Sequence, residues 1–523
     1  MLFKRLAALA LLLLSLISSF TTAQQVGGTV TLAITEEPDT LDPQKTSTAV
    51  TGTILQYLGD TLVAKDLDGA YTGGLAESWT ASADGLTWTF MLKPGITFHD
   101  GTPLTAQAVK ASIERALDPA TQSPIASSLF EGVQEIDTEG KSELTITLRE
   151  PFSPFLDNLA DPRAAIVNVQ AASEQGAQFG RAPVLTGPWR VETWRSGDSI
   201  VLSRNPDYAW GPSYAHKGAP YLESLTFRVI PEAATQVAAF EAGEVQILNV
   251  PPTDVERLQE TGQYAFEEFL RKGVGLFLEF NVQKAPFDDP LVRKAFNHAI
   301  DKNVIVTVAL EGLGVPAASV LPPSIRGYWE GMEEYAYAYD PERARALLEE
   351  AGYTPGPEGL LERDGQPLTF TLYTAPIDTW TRSAQVVQGM LSELGVQVEI
   401  QTFEFGTLLE KLKAGEQQAD FMGYTYTSPD ILYLWFHSSN IGTGLAHSHY
   451  KDPELDALIE RSRRETDEPA RLETYAEIQR SINDEALWVP IWNNTNYIAI
   501  QPTVQGFELH SDGYLSLLDA YVE

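Results

Sequence analysis

The sequence predicts a two-lobed α/β protein with an extra subdomain inserted in its first lobe, and three observations lead there. At 523 residues the chain is too long to fill one compact core, so at least two domains are the default. Short alternating runs read as strands and are interleaved with well-marked helix starts. A strand–helix–Ala-Gly-Glu–strand unit occurs twice, far apart in the chain.

The strands come first. Leu86, Trp88, Phe90 and Leu92 alternate with Thr87, Thr89, Met91 and Lys93, as Leu144, Ile146 and Leu148 do with Thr145, Thr147 and Arg149. The same period recurs at Leu368, Phe370 and Leu372, and at Val396, Val398 and Ile400. Helices start at Asp289-Pro290, Asp340-Pro341 and Asp452-Pro453, where a capping carboxylate precedes a proline whose missing N–H would have had no partner. After Pro341, the residues Ala344, Leu347, Leu348 and Ala351 make an apolar face that Gly352 ends.

The repeated unit runs from a strand at Leu225 to Ile230 through a helix at Ala233 to Phe240 to Ala242-Gly243-Glu244 and a strand from Val245. Its echo is a strand at Val396 to Phe403, a helix around Leu408 to Leu412, Ala414-Gly415-Glu416, and a strand near Asp420 to Tyr424. Two α/β lobes with related strand–helix units follow. Between Gly69 and about Pro183 the texture changes to strands, turns and short helices, which reads as the inserted subdomain.

Composition narrows the class. Lys4 and Arg5 precede an apolar run from Leu6 to Phe20, and Thr21-Thr22-Ala23 supplies small residues before Gln24; residues 1–23 read as a cleaved export signal. The chain has no cysteine, which excludes disulfides, thiolate metal sites, a cysteine nucleophile and a lipoprotein anchor. A periplasmic location without a lipid tether is expected. The formal net charge of -35 disfavours nucleic acid and anionic lipid as partners.

A longer set of residues resembles a known family. Glu37-Pro38-Asp39-Thr40-Leu41-Asp42-Pro43 is similar to the opening signature of the dipeptide, oligopeptide and nickel solute-binding proteins of ABC importers, solute-binding protein family 5. Leu75-Ala76-Glu77-Ser78-Trp79, Asp84-Gly85-Leu86-Thr87-Trp88-Thr89-Phe90 and Pro94-Gly95-Ile96-Thr97-Phe98-His99-Asp100-Gly101-Thr102-Pro103 follow in the family's order. So do Thr186-Gly187-Pro188-Trp189, Arg204-Asn205-Pro206-Asp207-Tyr208, Val292-Arg293-Lys294-Ala295-Phe296 and Asp452-Pro453-Glu454-Leu455-Asp456. Nearly all of the chain after residue 23 is covered.

The resemblance implies a clamshell of the periplasmic-binding-protein kind whose chain passes twice between lobes, here near Gly273 to Val282 and near Val489 to Asn496. It divides the chain into a signal peptide (1–23), a first lobe (24–68, 184–278 and 490–523), a subdomain inserted in that lobe (69–183) and a second lobe (279–489). Trp79, Trp88 and Phe98 are expected in the core. The implied function is capture of a peptide or oligosaccharide between the lobes and delivery to ABC permease subunits, by a monomer without a cofactor. A nickel or metal-complex carrier of the same fold is the alternative, and a secreted hydrolase the rival class.

Catalysis finds no support in the residues. There is no Gly-x-Ser-x-Gly elbow, no His-Glu-x-x-His and no phosphate loop. Among 71 acidic residues a chance carboxylate pair says nothing. His447-Ser448-His449, with His437 nearby, is the one histidine grouping, and no metal site is assigned to it.

For ligand contacts the candidates fall in three stretches. Thr48 and Thr51 lie in the polar loop Thr46 to Gly52, where relatives bring such a loop to the crevice. Trp380 and Arg382 lie between the Leu368 strand and the next helix, past a strand's carboxyl end; Arg382 would hold a carboxylate and Trp380 would stack on an apolar or sugar face. Tyr424, Tyr426, Asp430 and Trp435 follow Gly423. Peptide-binding relatives carry an aspartate in that stretch to pair with the peptide amine, and Thr425 or a tyrosine stands there instead. Asp430 is the substitute; the missing aspartate puts free-amine peptides in doubt and raises oligosaccharides, whose pyranose faces the tyrosines and tryptophans suit, and both classes remain open.

Overall fold

The computed structural model describes residues 26–356 and 359–523, so the expected signal segment lies outside the described residues. Its buried apolar residues gather in three clusters. One runs from Val30 to Phe227 and takes in Ile247 and the segment Ile498 to Ala520. A second runs from Val274 to Trp492. A small third one, around Phe240, Val245 and Leu258, covers the other face of the first lobe's sheet.

One long strand, Trp488–Ile500, joins the lobes. Its first half pairs with Leu276–Phe280 of the second lobe and its last six residues pair with Ala265–Leu270 of the first. The chain therefore crosses at Arg271 to Gly275 on one side and at Asn493 and Asn494 on the other, and the Arg271 N–H donates to the Asn494 carbonyl at 2.8 Å. On the first-lobe side the sheet continues through Ile247–Asn249, Thr29–Ile34, Ser224–Val229, Ser199–Arg204 and Trp189–Arg195; on the other, through Ala419–Met422, Thr369–Thr374 and Gln397–Thr402. A separate four-stranded antiparallel sheet, led by Ala76–Ala81 and Thr87–Leu92, belongs to the inserted segment, and its buried face packs in the same core as the first lobe. Trp88 and Phe98 are in that core and Trp79 packs against it.

Local chemistry explains the elements. Asp289, Asp340 and Asp452 each accept a backbone N–H of the helix that their proline begins. Both Ala-Gly-Glu segments close helices, Ala233–Glu241 and Phe405–Lys413, with one bonding pattern. The Glu244 N–H returns to the Ala239 carbonyl and the Gly243 N–H to Phe240, just as Glu416 returns to Lys411 and Gly415 to Leu412. Gly243 and Gly415 take φ of 74° and 67°, the left-handed conformation that this cap demands.

The opening signature proves architectural. Glu37 accepts the Trp194 indole N–H at 2.7 Å and the Gly197 N–H at 2.9 Å, Asp42 pairs with Arg115 at 2.6 Å, and Asp39 takes the hydroxyls of Thr46 and Thr51. Burial pushes the Asp39 carboxyl up, but these bonds outweigh it and hold the group below the usual aspartate value.

Candidate functional site

Three cavities that share lining residues lie at and beside the lobe boundary. The first, about 580 Å³ including its open part, lies beside the crossing strands and is lined by Arg271, Lys272, Trp380, Tyr424, Thr425 and Asn494. Lys272 also lines the second, of about 960 Å³, with Lys65, Phe269, Arg326, Thr427 and His510. Lys65 and His510 in turn line a third, of about 890 Å³, that penetrates the first lobe.

Several elements build this crevice. Trp380 sits in the first turn of the helix Asp378–Glu393, 6% exposed, with one face on the first cavity. Tyr424 follows the strand Ala419–Met422 and stacks on Phe277. Gly273 is pressed so close to the Tyr424 carbonyl that a Cβ would lie 2.0 Å from it, so only glycine lets the crossing segment pass here.

The charges are arranged with equal care. Lys65 and Asp157 pair at 3.1 Å with both side chains under 10% exposed, and the Ser428 hydroxyl of the second lobe donates to the other Asp157 oxygen at 3.0 Å. Burial draws the Lys65 ammonium down, yet Asp157 and Asp512 more than offset it and raise it. Lys272 pairs with Asp512 at 3.1 Å; burial lowers this lysine and Asp512 only partly restores it. Burial also pushes Asp512 up, and Lys65 and Lys272 overcome that and hold it ionised. His510 receives the Asp512 N–H on Nδ1 and faces the Lys65 carbonyl with Nε2, which makes it a neutral imidazole protonated on Nε2. Arg271, exposed at the crevice, forms no ion pair among the described residues.

The structure places the residues singled out in the sequence unevenly. Trp380 and Tyr424 line the crevice. Thr48 does not sit in a loop ending at Gly52: it caps the helix Ala49–Leu58, and Thr51 is buried inside that helix with its hydroxyl on Asp39 and the Thr40 carbonyl. Arg382 is within a helix rather than before one, and pairs with Glu311 and Asp378 on the outside. Tyr426 donates to the Val320 carbonyl, and Trp435, 1% exposed, is a core ring packed on Phe277 and Trp488. Asp430 is held by Arg463 at 2.9 Å; burial still pushes its carboxyl up to about 6, and Arg463 opposes this. His437, His447 and His449 do not converge: His437 faces Glu460, His447 lies inside near Glu279, and His449 lies against the Leu412 carbonyl.

Lys65, Asp157, Arg271, Lys272, His510 and Asp512 were not legible as site residues. They come from four separate segments, and no local pattern joins them.

Two α/β lobes joined by paired crossing strands, with a charged and aromatic crevice between them, define an extracytoplasmic solute-binding protein. The chain belongs to the bacterial extracellular solute-binding proteins, family 5, whose model matches residues 70–443. Members serve ABC importers as their solute-binding components, and this chain is such a component. It is 28% identical to the glutathione-binding protein GsiB of Escherichia coli K12 over 501 residues, 94% of each chain. HbpA2 from Haemophilus parasuis has the same fold with a TM-score of 0.85 at 25% identity, over 95% of this chain and 100% of that one. The periplasmic binding protein DppA from Helicobacter pylori, solved with the peptide STSA, superimposes with a TM-score of 0.69 at 28% identity, over 97% and 100%. GsiB and DppA are binding proteins, and among the described residues no helix is long and apolar enough to cross a membrane.

Proposed function

We propose that this chain captures a short peptide with a free carboxylate, holds it unchanged in the inter-lobe crevice, and presents it to a permease. The observation that carries this reading is Arg271. In a protein with 71 acidic and 36 basic residues, an exposed guanidinium without an ion pair among the described residues stands at the crevice beside Lys272. Arginine is suited to bidentate carboxylate binding, and a neutral oligosaccharide would leave it idle. Trp380 and Tyr424 provide the wall on which the peptide lies. The similarity to a glutathione-binding and a peptide-binding protein supports the same class.

The proposed molecule is a periplasmic monomer without a lipid anchor, made as a precursor cleaved before Gln24, and it performs no catalysis. Its lobes are residues 24–68, 184–278 and 490–523 with the insert 69–183, and residues 279–489; the three buried clusters support this division except at its edges, where Val274 to Leu278, Ile491 and Trp492 pack with the second lobe. Glutathione and a tripeptide panel, titrated calorimetrically and recovered for mass analysis, test the reading. One-to-one binding of an unchanged peptide, weakened by Arg271→Ala and by C-terminal amidation, is the expected result. Binding only of neutral oligosaccharides, or recovery of a cleaved peptide, would overturn it.

A further inference from the structure

Resting on the peptide reading, we propose that the third cavity is a subsite in the first lobe for one planar, acceptor-bearing side chain of the ligand, such as the phenol of a tyrosine. The space is walled by Tyr57, Trp189, Tyr208, Trp210, Tyr214 and Tyr514. Several of these rings brace one another. Tyr57 meets Trp189 edge-on at 5.7 Å and Tyr514 at 6.3 Å, while Tyr208 and Trp210 lie 4.9 Å apart. An enclosure of this kind favours a flat ring over an aliphatic chain.

Its own polar groups show where the specificity lies. Asp60 is engaged on both oxygens: the Tyr208 hydroxyl donates to one at 3.2 Å and the Trp210 indole N–H to the other at 2.9 Å. Lys93 gives protons to the carbonyls of Gly73 and Trp210, at 3.0 and 3.1 Å, which leaves one of its three N–H groups over. The Trp189 indole N–H is buried, in a residue 1% exposed, and has no acceptor in the protein. Buried donors are rarely left without a partner, and Trp189 and Lys93 both line this cavity. The unspent groups include these two donors and one acceptor, the buried Oε1 of Gln56, so the complementary ligand group accepts and can also donate, as a phenol hydroxyl does.

The side chain would enter from the crevice, because the two spaces share lining residues. Lys65 and His510 line both spaces, and Lys65 is fixed by Asp157, which also receives Ser428 of the second lobe. A peptide whose carboxylate meets Arg271 would lie along the crevice with one side chain turned past Lys65 into the first lobe. Ligands differing only in that side chain would then be sorted here.

Calorimetry with trialanine and with the three tripeptides carrying tyrosine at one position and alanine elsewhere tests this. The wild type should bind one tyrosine peptide at least about tenfold tighter than trialanine, the gain from burying one large side chain. Ala64 is small and lines the cavity. Ala64→Phe should fill the space and abolish the preference while leaving trialanine affinity unchanged. Trp189→Phe, which keeps a ring but removes the donor, should lower the tyrosine peptide's affinity and spare its phenylalanine counterpart. Equal binding of all four peptides by the wild type, or a preference that survives in a folded Ala64→Phe protein, overturns the subsite and leaves the peptide reading intact. If Ala64→Phe does not fold, an equal effect of Trp189→Phe on the tyrosine and phenylalanine peptides overturns it. Failure to bind any peptide removes both.

Discussion

In the first lobe and its insert two buried ion pairs are balanced, Lys65 with Asp157 and Asp42 with Arg115, whereas in the second lobe two buried carboxyls face each other with no cation between them. Glu279 and Asp420 are direct partners on neighbouring antiparallel strands, each 1% exposed or less. Neither Oε1 of Glu279 nor either oxygen of Asp420 has a hydrogen-bond partner. The nearest basic group, His447, has its Nδ1 3.9 Å from Glu279 and is kept neutral, since burial, with help from His449 and Lys413, pulls it down to about 4. Burial raises both carboxyls well above their usual range, and for Glu279 the proximity of Asp420 adds to the effect. Lys65, Asp157, Asp42 and Arg115 are held by counter-charges; Glu279 and Asp420 must be held by protons.

The largest expected effect breaks the first arrangement. Lys65→Met leaves Asp157 buried without its cation and should cost about 3–5 kcal/mol in denaturant unfolding. A loss under about 1 kcal/mol would show that Asp157 is well served by Ser428 alone.

The second lobe should respond in the opposite sense. Because the folded-state values of Glu279 and Asp420 are raised, their contribution is full below about pH 4 and is lost as the pH rises through the folded values. Wild-type stability should therefore fall between weakly acidic and alkaline pH, and Asp420→Asn should flatten the fall. An amide at that position can also donate to the unpartnered Glu279 oxygen. A gain of about 1 kcal/mol or more near pH 8 is expected, the worth of roughly one pKa unit. Unchanged pH dependence in Asp420→Asn would contradict the unbalanced pair.

Much of this contrast lay within reach of the sequence, and some did not. The helix starts at Asp289, Asp340 and Asp452 and the two Ala-Gly-Glu caps were legible because each is settled by a few neighbouring residues. Glu279 and Asp420 carried a signal too: each is the lone charge in an apolar strand, Leu276–Phe280 and Ala419–Met422. That the strands pair in this register is a long-range fact. The same limit affected the candidate contacts. Trp380 and Tyr424 line the crevice, but an aromatic residue in a crevice-side stretch reads the same whether it faces the opening or, like Trp435, the core. Asp430 was weighed as an amine anchor without sight of Arg463, its partner across the fold.

The smallest expected effect concerns that residue. Asp430 lies at about 6, above its ordinary value, so its contribution is likewise full below about pH 4 and lost as the pH passes 6. Asp430→Asn should change stability at pH 7 and peptide affinity each by about 1 kcal/mol or less, since a hydrogen bond to Arg463 can be kept. Loss of all peptide binding in this variant would make Asp430 the amine anchor after all.

The claim that the ligand sits between the lobes is tested most directly at Thr425, an exposed side chain on the crevice wall. Thr425→Trp removes no core packing and puts an indole where the ligand should lie. Calorimetry should show peptide affinity reduced by at least about 100-fold, because a filled crevice cannot repack around a second occupant. The melting temperature of the empty protein should stay that of the wild type. Wild-type affinity in a folded Thr425→Trp protein would contradict the account.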